Sequence, residues 1–504
     1  MRLIIGTWLA ITIGIFSFAA ATGLTGSTTV AAAIGILLAA LAAILIRKFS
    51  ILNLEASAAS RGLRMISTVA IIAALFQLAR LTVFIVAPSQ TAYSTFPSSK
   101  WEIRHSCLTA YFIAAQSAGH VPDIYASSLY TAPDDDPAKV RKSLMIGPFG
   151  IDVYEYPPPF LLLSRATNLL APDFSSNRML WFALNGIVIL IAMIVVARSL
   201  GPIAGTRALL LAPMVWAALP MLNTFQKGNI QLMIIAIAML AMVLLKKQRL
   251  FSGGLLLAYA IAGKIYPGML LVYLIVRRRW RAVAFTIAWG IVLVLITLLI
   301  TGWDAYIAFL HHLPRLLSGE AFPAFRNPSA TAINLSIPGI VFKLKLFGVQ
   351  NMSFGVAKIV GWIYTLVLLA VIAIVARRSL RTGDDSPLVW MAILILATLR
   401  SPFLPQSYGN VPAIWLLTLL AATYAPNRKT LSVVILAWIS LNIIVPTDWG
   451  VDPRRLALIN ALPQTVTIAV AVWGLWRWNK ITVPISESKV PDSLNASSEV
   501  SQCH

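Results

Sequence analysis

Six residues in one stretch have the types that acid–base chemistry and substrate recognition need. They are Glu102, Arg104, His105, Asp152, Glu155 and Tyr156, all within 101–170. A carboxylate or imidazole placed beside a hydroxyl can take its proton, and histidine does so near neutral pH in an ordinary environment. The candidate catalytic residues are therefore Glu102, His105, Asp152 and Glu155. Trp101-Glu102-Ile103-Arg104-His105 opens the stretch, and Asp152-Val153-Tyr154-Glu155-Tyr156-Pro157-Pro158-Pro159-Phe160 closes it. Each has an ordinary alternative. Glu102 beside Lys100 or Arg104 could form a surface ion pair, worth about 0–1 kcal/mol. The tyrosine and proline run reads equally as an interfacial aromatic belt before a proline-started helix. Between them lie an amphipathic segment, 108–118, and a polar loop whose Asp134-Asp135-Asp136 run reads as solvated.

Groups suited to phosphates and sugars stand elsewhere. Lys264-Ile265-Tyr266-Pro267 interrupts an apolar stretch. Proline breaks helices, so a tight hairpin with Lys264 at its tip is expected. A lysine in such a setting is costly unless it meets water or an anion; it either snorkels or holds a lipid phosphate. Asn229 and Gln231 open another apolar run. Such amides cap a helix or bind sugar hydroxyls. Arg326, Arg400 and Tyr408 lie in later polar connections. With Arg104, Tyr156 and Tyr266 they complete the candidate substrate-binding set. His311 and His312 are adjacent and share no helix face. No metal-ligand spacing is found, so neither metal nor cofactor is expected.

The chain around these residues is a membrane protein. Of 504 residues, 59% are hydrophobic and 12% charged, against roughly 25% charged in soluble chains. Mean hydropathy is +0.81. The fold class expected is an all-α polytopic membrane protein with about 12 to 14 transmembrane segments, from apolar runs near the roughly 20 residues a crossing takes. The net charge of +22 does not indicate nucleic acid, because the basic residues cluster in short connections, as cytoplasmic loops do. Placing Met1 in the cytoplasm and alternating puts Arg277 to Arg281 and Arg377 to Arg381 inside with every other basic cluster. Most acids, and the long loops, then fall outside. Both termini are cytoplasmic in this scheme, and the first run, 3–22, is a retained span. Cys107 and Cys503 fall on opposite sides, so no disulfide is expected.

Gly228-Asn229-Ile230-Gln231, Lys264-Ile265-Tyr266-Pro267 with Arg277-Arg278-Arg279-Trp280-Arg281, Tyr156-Pro157-Pro158, and Arg400-Ser401-Pro402-Phe403 together resemble glycosyltransferase family 87. These are GT-C integral-membrane enzymes typified by polyprenyl-phosphomannose-dependent mannosyltransferases. The resemblance covers about 65–478, leaving 1–64 as an extra N-terminal hairpin and loop, and 479–504 as a disordered cytoplasmic tail. It implies transfer of a hexose, mannose in the type members, from a polyprenyl-phosphate donor to a glycan or glycolipid on the non-cytoplasmic face. A carboxylate would act as base and cations would hold the departing phosphate. Family members place an aspartate just before the amphipathic segment. Here none stands there, and Glu102 ranks first as its replacement by order along the chain, with Glu155 second. Two other classes stay open: a lipid or polysaccharide transporter, which would show repeated halves with broken helices, and a non-catalytic assembly protein. No repeat is visible.

Overall fold

Runs rich in Leu, Ile, Val and Ala form helices because only a helix satisfies its own backbone polar groups in hydrocarbon. The computed structural model describes residues 2–48, 54–132, 142–382, 385–424 and 428–477. The Asp134 to Asp136 run, Cys503 and the 479–504 tail lie outside the described residues. Among the described residues, seven helices are long and apolar enough to cross a bilayer: Leu3–Thr25, Thr28–Lys48, Arg61–Val86, Phe174–Ser199, Trp280–Thr301, Phe354–Thr382 and Pro453–Trp476. Pro202–Trp216 and Leu219–Lys227 add an eighth when taken as one span, bent by 64°. Pro220, in the first turn of the second helix, starts the new direction. The other apolar runs became shorter helices. Gln231–Lys246, Leu250–Gly263, Pro387–Thr398 and Thr430–Leu441 have 10–17 residues, fewer than the roughly 20 of a full crossing. The all-α polytopic class therefore stands, with seven or eight helices of crossing length among the described residues and short helices between them. Pro387–Thr398 is buried at every position, so its apolarity reflects a protein core rather than lipid contact. Trp280–Thr301 and Phe354–Thr382 instead expose Ile287, Leu299, Trp362 and Leu366, as helices against lipid do.

The first helix shares this core. Phe16 is fully buried, with its ring 5.2 Å from Phe182 and 5.6 Å from Trp216. A Cβ at Gly186 would lie 2.1 Å from Phe16 Cζ, so the close approach of these helices depends on that glycine.

The acid-rich connections meet one another. Ser99 Oγ donates to Asp448 Oδ1 at 2.6 Å and Trp101 N to Asp448 Oδ2 at 2.9 Å. Ser336 Oγ donates to the Pro402 carbonyl at 2.8 Å, and Tyr125 stacks on His312 at 4.7 Å. The basic connections meet in the same way. Lys246 Nζ donates to Asp385 O at 2.6 Å, Arg207 NH1 to Tyr424 O at 3.1 Å, and Glu55 N to Thr206 Oγ1 at 2.9 Å.

Within the first long loop, a short helix, Lys100–Arg104, leads into strand His105–Ser106 and helix Leu108–Ser117. A hairpin of strands Met145–Ile146 and Phe149–Ile151 follows. The Phe149–Ile151 strand lies in the middle of the sheet, parallel to His105–Ser106 and antiparallel to Met145–Ile146. Helix Leu108–Ser117 forms where the amphipathic segment was expected, but it is buried on most faces, including Leu108, Tyr111, Phe112 and Ala115. Asn168 Nδ2 and Arg165 NH1 hold it from helix Leu161–Leu170, donating to Phe112 O at 3.1 Å and Ala118 O at 2.9 Å.

Candidate active site

Strand register decides which loop residues meet. His105 pairs with Gly150 and Ser106 with Ile151, so the chain leaves both strands side by side. Asp152 therefore emerges next to His105 and Cys107. Thr109 Oγ1 fixes the exit by accepting from Asp152 N at 2.9 Å. The His105 Nε2 to Asp152 Oδ2 distance is 3.8 Å, and Cys107 Sγ lies 3.7 Å from the same nitrogen. Cys107 is the residue immediately before helix Leu108–Ser117. Two elements distant in sequence complete the group. Asn229 Nδ2 donates to Cys107 Sγ at 3.3 Å, and Tyr408 OH lies 3.1 Å from it.

Each acid has a different environment. Glu102 is buried and paired with buried Lys227, at 2.8 Å. Its partner is neither Lys100 nor Arg104, and the pair is internal rather than at the surface. Gln226 Nε2 also donates to Glu102 O at 2.8 Å, tying helix Lys100–Arg104 to helix Leu219–Lys227. Asp152 keeps 39% of its side-chain surface accessible. Partial desolvation pushes its pKa up to about 6, against the opposing pull of the hydrogen bond from Val153 N and the charge of Lys227. Glu155 is raised well above the usual carboxylate range by burial and by the Asp152 charge, with Lys264 opposing. His105 is pushed down to about 3 by burial and by Lys227, so its imidazole is neutral at pH 7. Burial raises the Cys107 thiol to about 11, so it is protonated there.

The substrate-binding candidates divide. Lys264 lies at the hairpin tip between helices Leu250–Gly263 and Gly268–Val276, with Nζ 5.0 Å from the Tyr156 ring centroid. Tyr156 OH shares a hydrogen bond with Tyr111 OH at 2.9 Å. Tyr266 OH donates to Gln231 O at 3.4 Å, and Gln231 N donates to Asn229 Oδ1 at 2.8 Å. Asn229 thus both holds the first backbone N–H of helix Gln231–Lys246 and reaches the thiol. Arg400 instead packs on helix Phe354–Thr382, donating to Thr365 Oγ1 at 2.7 Å and lying over the Trp362 ring at 5.7 Å. Arg104 and Arg326 are exposed at the ends of short helices, and no contact among the described residues joins either to the Cys107 group.

The sequence reading did not select two members of the group, Cys107 and Lys227. The signal for Cys107 was its place directly before the amphipathic segment. Lys227 stood in the Gln226-Lys227-Gly228-Asn229 run, but its partner is 125 positions away and no spacing rule reaches that far. His105, Cys107 and Asp152 offer one donor atom each, all within 4.8 Å of one another. Imidazole, thiolate and carboxylate are the donor types that zinc takes. Metal binding would require the thiol to lose its proton.

A model of glycosyltransferase family 87 matches residues 154–357. That region contains Glu155, Tyr156, Lys227, Asn229, Gln231, Lys264, Tyr266 and Arg326. Over 335 residues the chain is 26% identical to the polyprenol-phosphate-mannose-dependent alpha-(1-2)-phosphatidylinositol pentamannoside mannosyltransferase of Mycobacterium tuberculosis (strain CDC 1551 / Oshkosh), spanning 63% of this chain and 72% of that relative.

Proposed function

We propose that this chain is a member of glycosyltransferase family 87, a reading supported by the match over residues 154–357 and the 26% identity to a mannosyltransferase, and that it moves mannose from a polyprenyl-phosphate donor to a hydroxyl of a glycan or glycolipid. The bond between the anomeric carbon and the phosphate oxygen breaks, and its electron pair leaves with polyprenyl phosphate. The acceptor oxygen bonds to the anomeric carbon and gives up its proton to a base. We assign that base to Asp152. The observation that supports the assignment is its position: the Asp152 carboxylate lies within 4.8 Å of Cys107 Sγ, and Cys107 directly precedes the loop helix, where the resemblance to family 87 implies an aspartate. A base with pKa near the working pH combines the ionised form with useful proton affinity, and about 6 suits that. Glu102 was the first choice by sequence order. Its pairing with Lys227 supports a positioning role instead.

Lys264 is assigned to the departing phosphate. It is the cation at the hairpin tip beside Tyr156, and its charge reaches Glu155. Fixed positive charge aimed at the developing phosphate lowers the barrier. Tyr408 and Asn229, already oriented around Cys107, are placed to meet sugar or acceptor hydroxyls. The acid-rich end carries this site and faces away from the cytoplasm, with both termini inside.

The test uses purified full-length protein in nanodiscs, radiolabelled polyprenyl-phosphate mannose and an acceptor lipid extract. Label should move from the donor into a new glycolipid or glycan. Lys264→Met should weaken donor binding and lower transfer while the protein remains folded. Intact donor after incubation, or equal donor affinity in Lys264→Met, would overturn the respective assignment.

A further inference from the structure

Two turns at the basic end use residues that the backbone there does not favour. Gln248 and Arg278 have φ of 59° and 57°, the left-handed region that glycine enters most readily. Each follows a helix end. Arg249 N donates to Leu244 O and Arg279 N to Leu274 O, both at 3.0 Å. This is the Schellman cap, whose left-handed position is usually glycine. Among the described residues the third such side chain is Asn351, a type that tolerates the conformation. Side chains at 248 and 278 therefore stand against a backbone preference, and strain of this kind concentrates at working sites.

Both residues line one recess of about 250 Å³. Lys246, Arg279 and Arg281 line it too, giving four cations with Arg278, and Trp280 forms part of the wall. Asp385 is the one acid among the lining residues, and it is already engaged. Arg277 NH1, Tyr273 OH and Trp390 Nε1 converge on its Oδ1, the last two at 3.0 and 3.2 Å. Arg279 stands 3.9 Å from Oδ2. Lys246 takes the Asp385 backbone carbonyl, which leaves its charge uncompensated by that contact. Asp384 lies outside the described residues. A positive-inside bias accounts for basic residues in these connections. It does not account for their convergence on one recess, or for an arginine where glycine is easier. Apolar side chains line the recess beside the cations, among them Met242, Leu245, Leu250 and Leu274, and Trp280 in its wall is 60% exposed.

We propose that this recess binds the phosphate headgroup of an anionic phospholipid, whose acyl chains lie along the exposed Trp280. Cations between transmembrane helices at this level recognise such headgroups. The apolar border favours a lipid over free phosphate.

The discriminating variant is Arg278→Gly, which removes the cation and relieves the turn at once. Protein is placed in nanodiscs of phosphatidylcholine, with or without phosphatidylglycerol, and bound lipid is counted by native mass spectrometry alongside thermal melting. Wild type should retain phosphatidylglycerol and melt higher with it. Arg278→Gly should melt at or above wild type in phosphatidylcholine, yet bind phosphatidylglycerol roughly fivefold less tightly, since one cation near an anionic lipid is worth about 1 kcal/mol. Arg281→Gln, which leaves the backbone alone, should lose a similar factor. Wild-type phosphatidylglycerol binding in both variants would overturn the proposal. So would inorganic phosphate in phosphatidylcholine discs reproducing the full melting gain, which would identify a free-phosphate site.

Discussion

A thiol at position 107 changes what its neighbours must do. Cys107 is pushed up to about 11, so at neutral pH it keeps its proton and cannot serve as base. The carboxylate reaches the same spot from another strand, as Asp152, which no reading of the local sequence around 107 could reveal. Acids, histidine and amides were legible as types; which acid faces the group depended on the pairing of His105 with Gly150. The proposed base works only when ionised. Transfer, read as kcat/KM, should therefore fall as pH drops through about 6 and level off above it. Asp152→Asn should lower transfer by roughly 10²–10⁴, remove that acidic limb and spare donor binding. Cys107→Ser should stay near wild type. The double variant Cys107→Asp with Asp152→Asn should recover part of the loss, because a carboxylate then stands at the position the family pattern uses. An acidic limb that survives Asp152→Asn would move the base to Glu155.

Between elements, the buried Glu102–Lys227 pair joins the short loop helix Lys100–Arg104 to the far half of the bent span. Pro220 in the first turn of the second helix accounts for the bend, but the pairing is not legible in the sequence, because local patterning describes one helix at a time. A similar case is Arg178, buried near the start of helix Phe174–Ser199. Its guanidinium donates to Phe84 O and Ile85 O at 3.0 and 2.8 Å and so closes the end of helix Arg61–Val86. In the sequence it is only an arginine at the head of an apolar run. Removing one partner of a buried pair strands the other charge and costs about 3–5 kcal/mol, whereas replacing both with apolar residues of similar size is often neutral. Glu102→Gln should therefore lower the melting temperature strongly, and Glu102→Leu with Lys227→Met should restore most of it. Activity in Glu102→Gln should track the folded fraction. A Glu102→Gln protein that melts like wild type but transfers sugar a hundred times more slowly, to order of magnitude, would restore Glu102 as the catalytic base.

At the scale of the whole molecule, charge alternation was the most legible feature, because it depends only on which connection a residue occupies. The connections assigned to one side by counting do contact one another, through Asp448 and Pro402 on the acidic side and through Asp385 and Arg207 on the basic side. Span length was less legible. A helix buried among others, such as Pro387–Thr398, is as apolar as one in lipid, and hydropathy cannot separate the two. Orientation links the two proposed sites. A lipid-linked sugar handed over outside requires the Asp152 end to face outward, and then the recess at Arg278 meets the inner leaflet, where anionic lipids attract basic residues. Reporter fusions test this directly. A reporter active only outside the cytoplasm should give signal when fused after Gly147 and none after Arg381, and a cytoplasm-dependent reporter should give the reverse. Cytoplasmic signal at both positions would break the alternation. Complete inversion would keep the fold but put Asp152 on the side opposite to the one the donor reading requires, and the mannosyl-transfer assignment would then have to be rebuilt around a cytoplasmic donor.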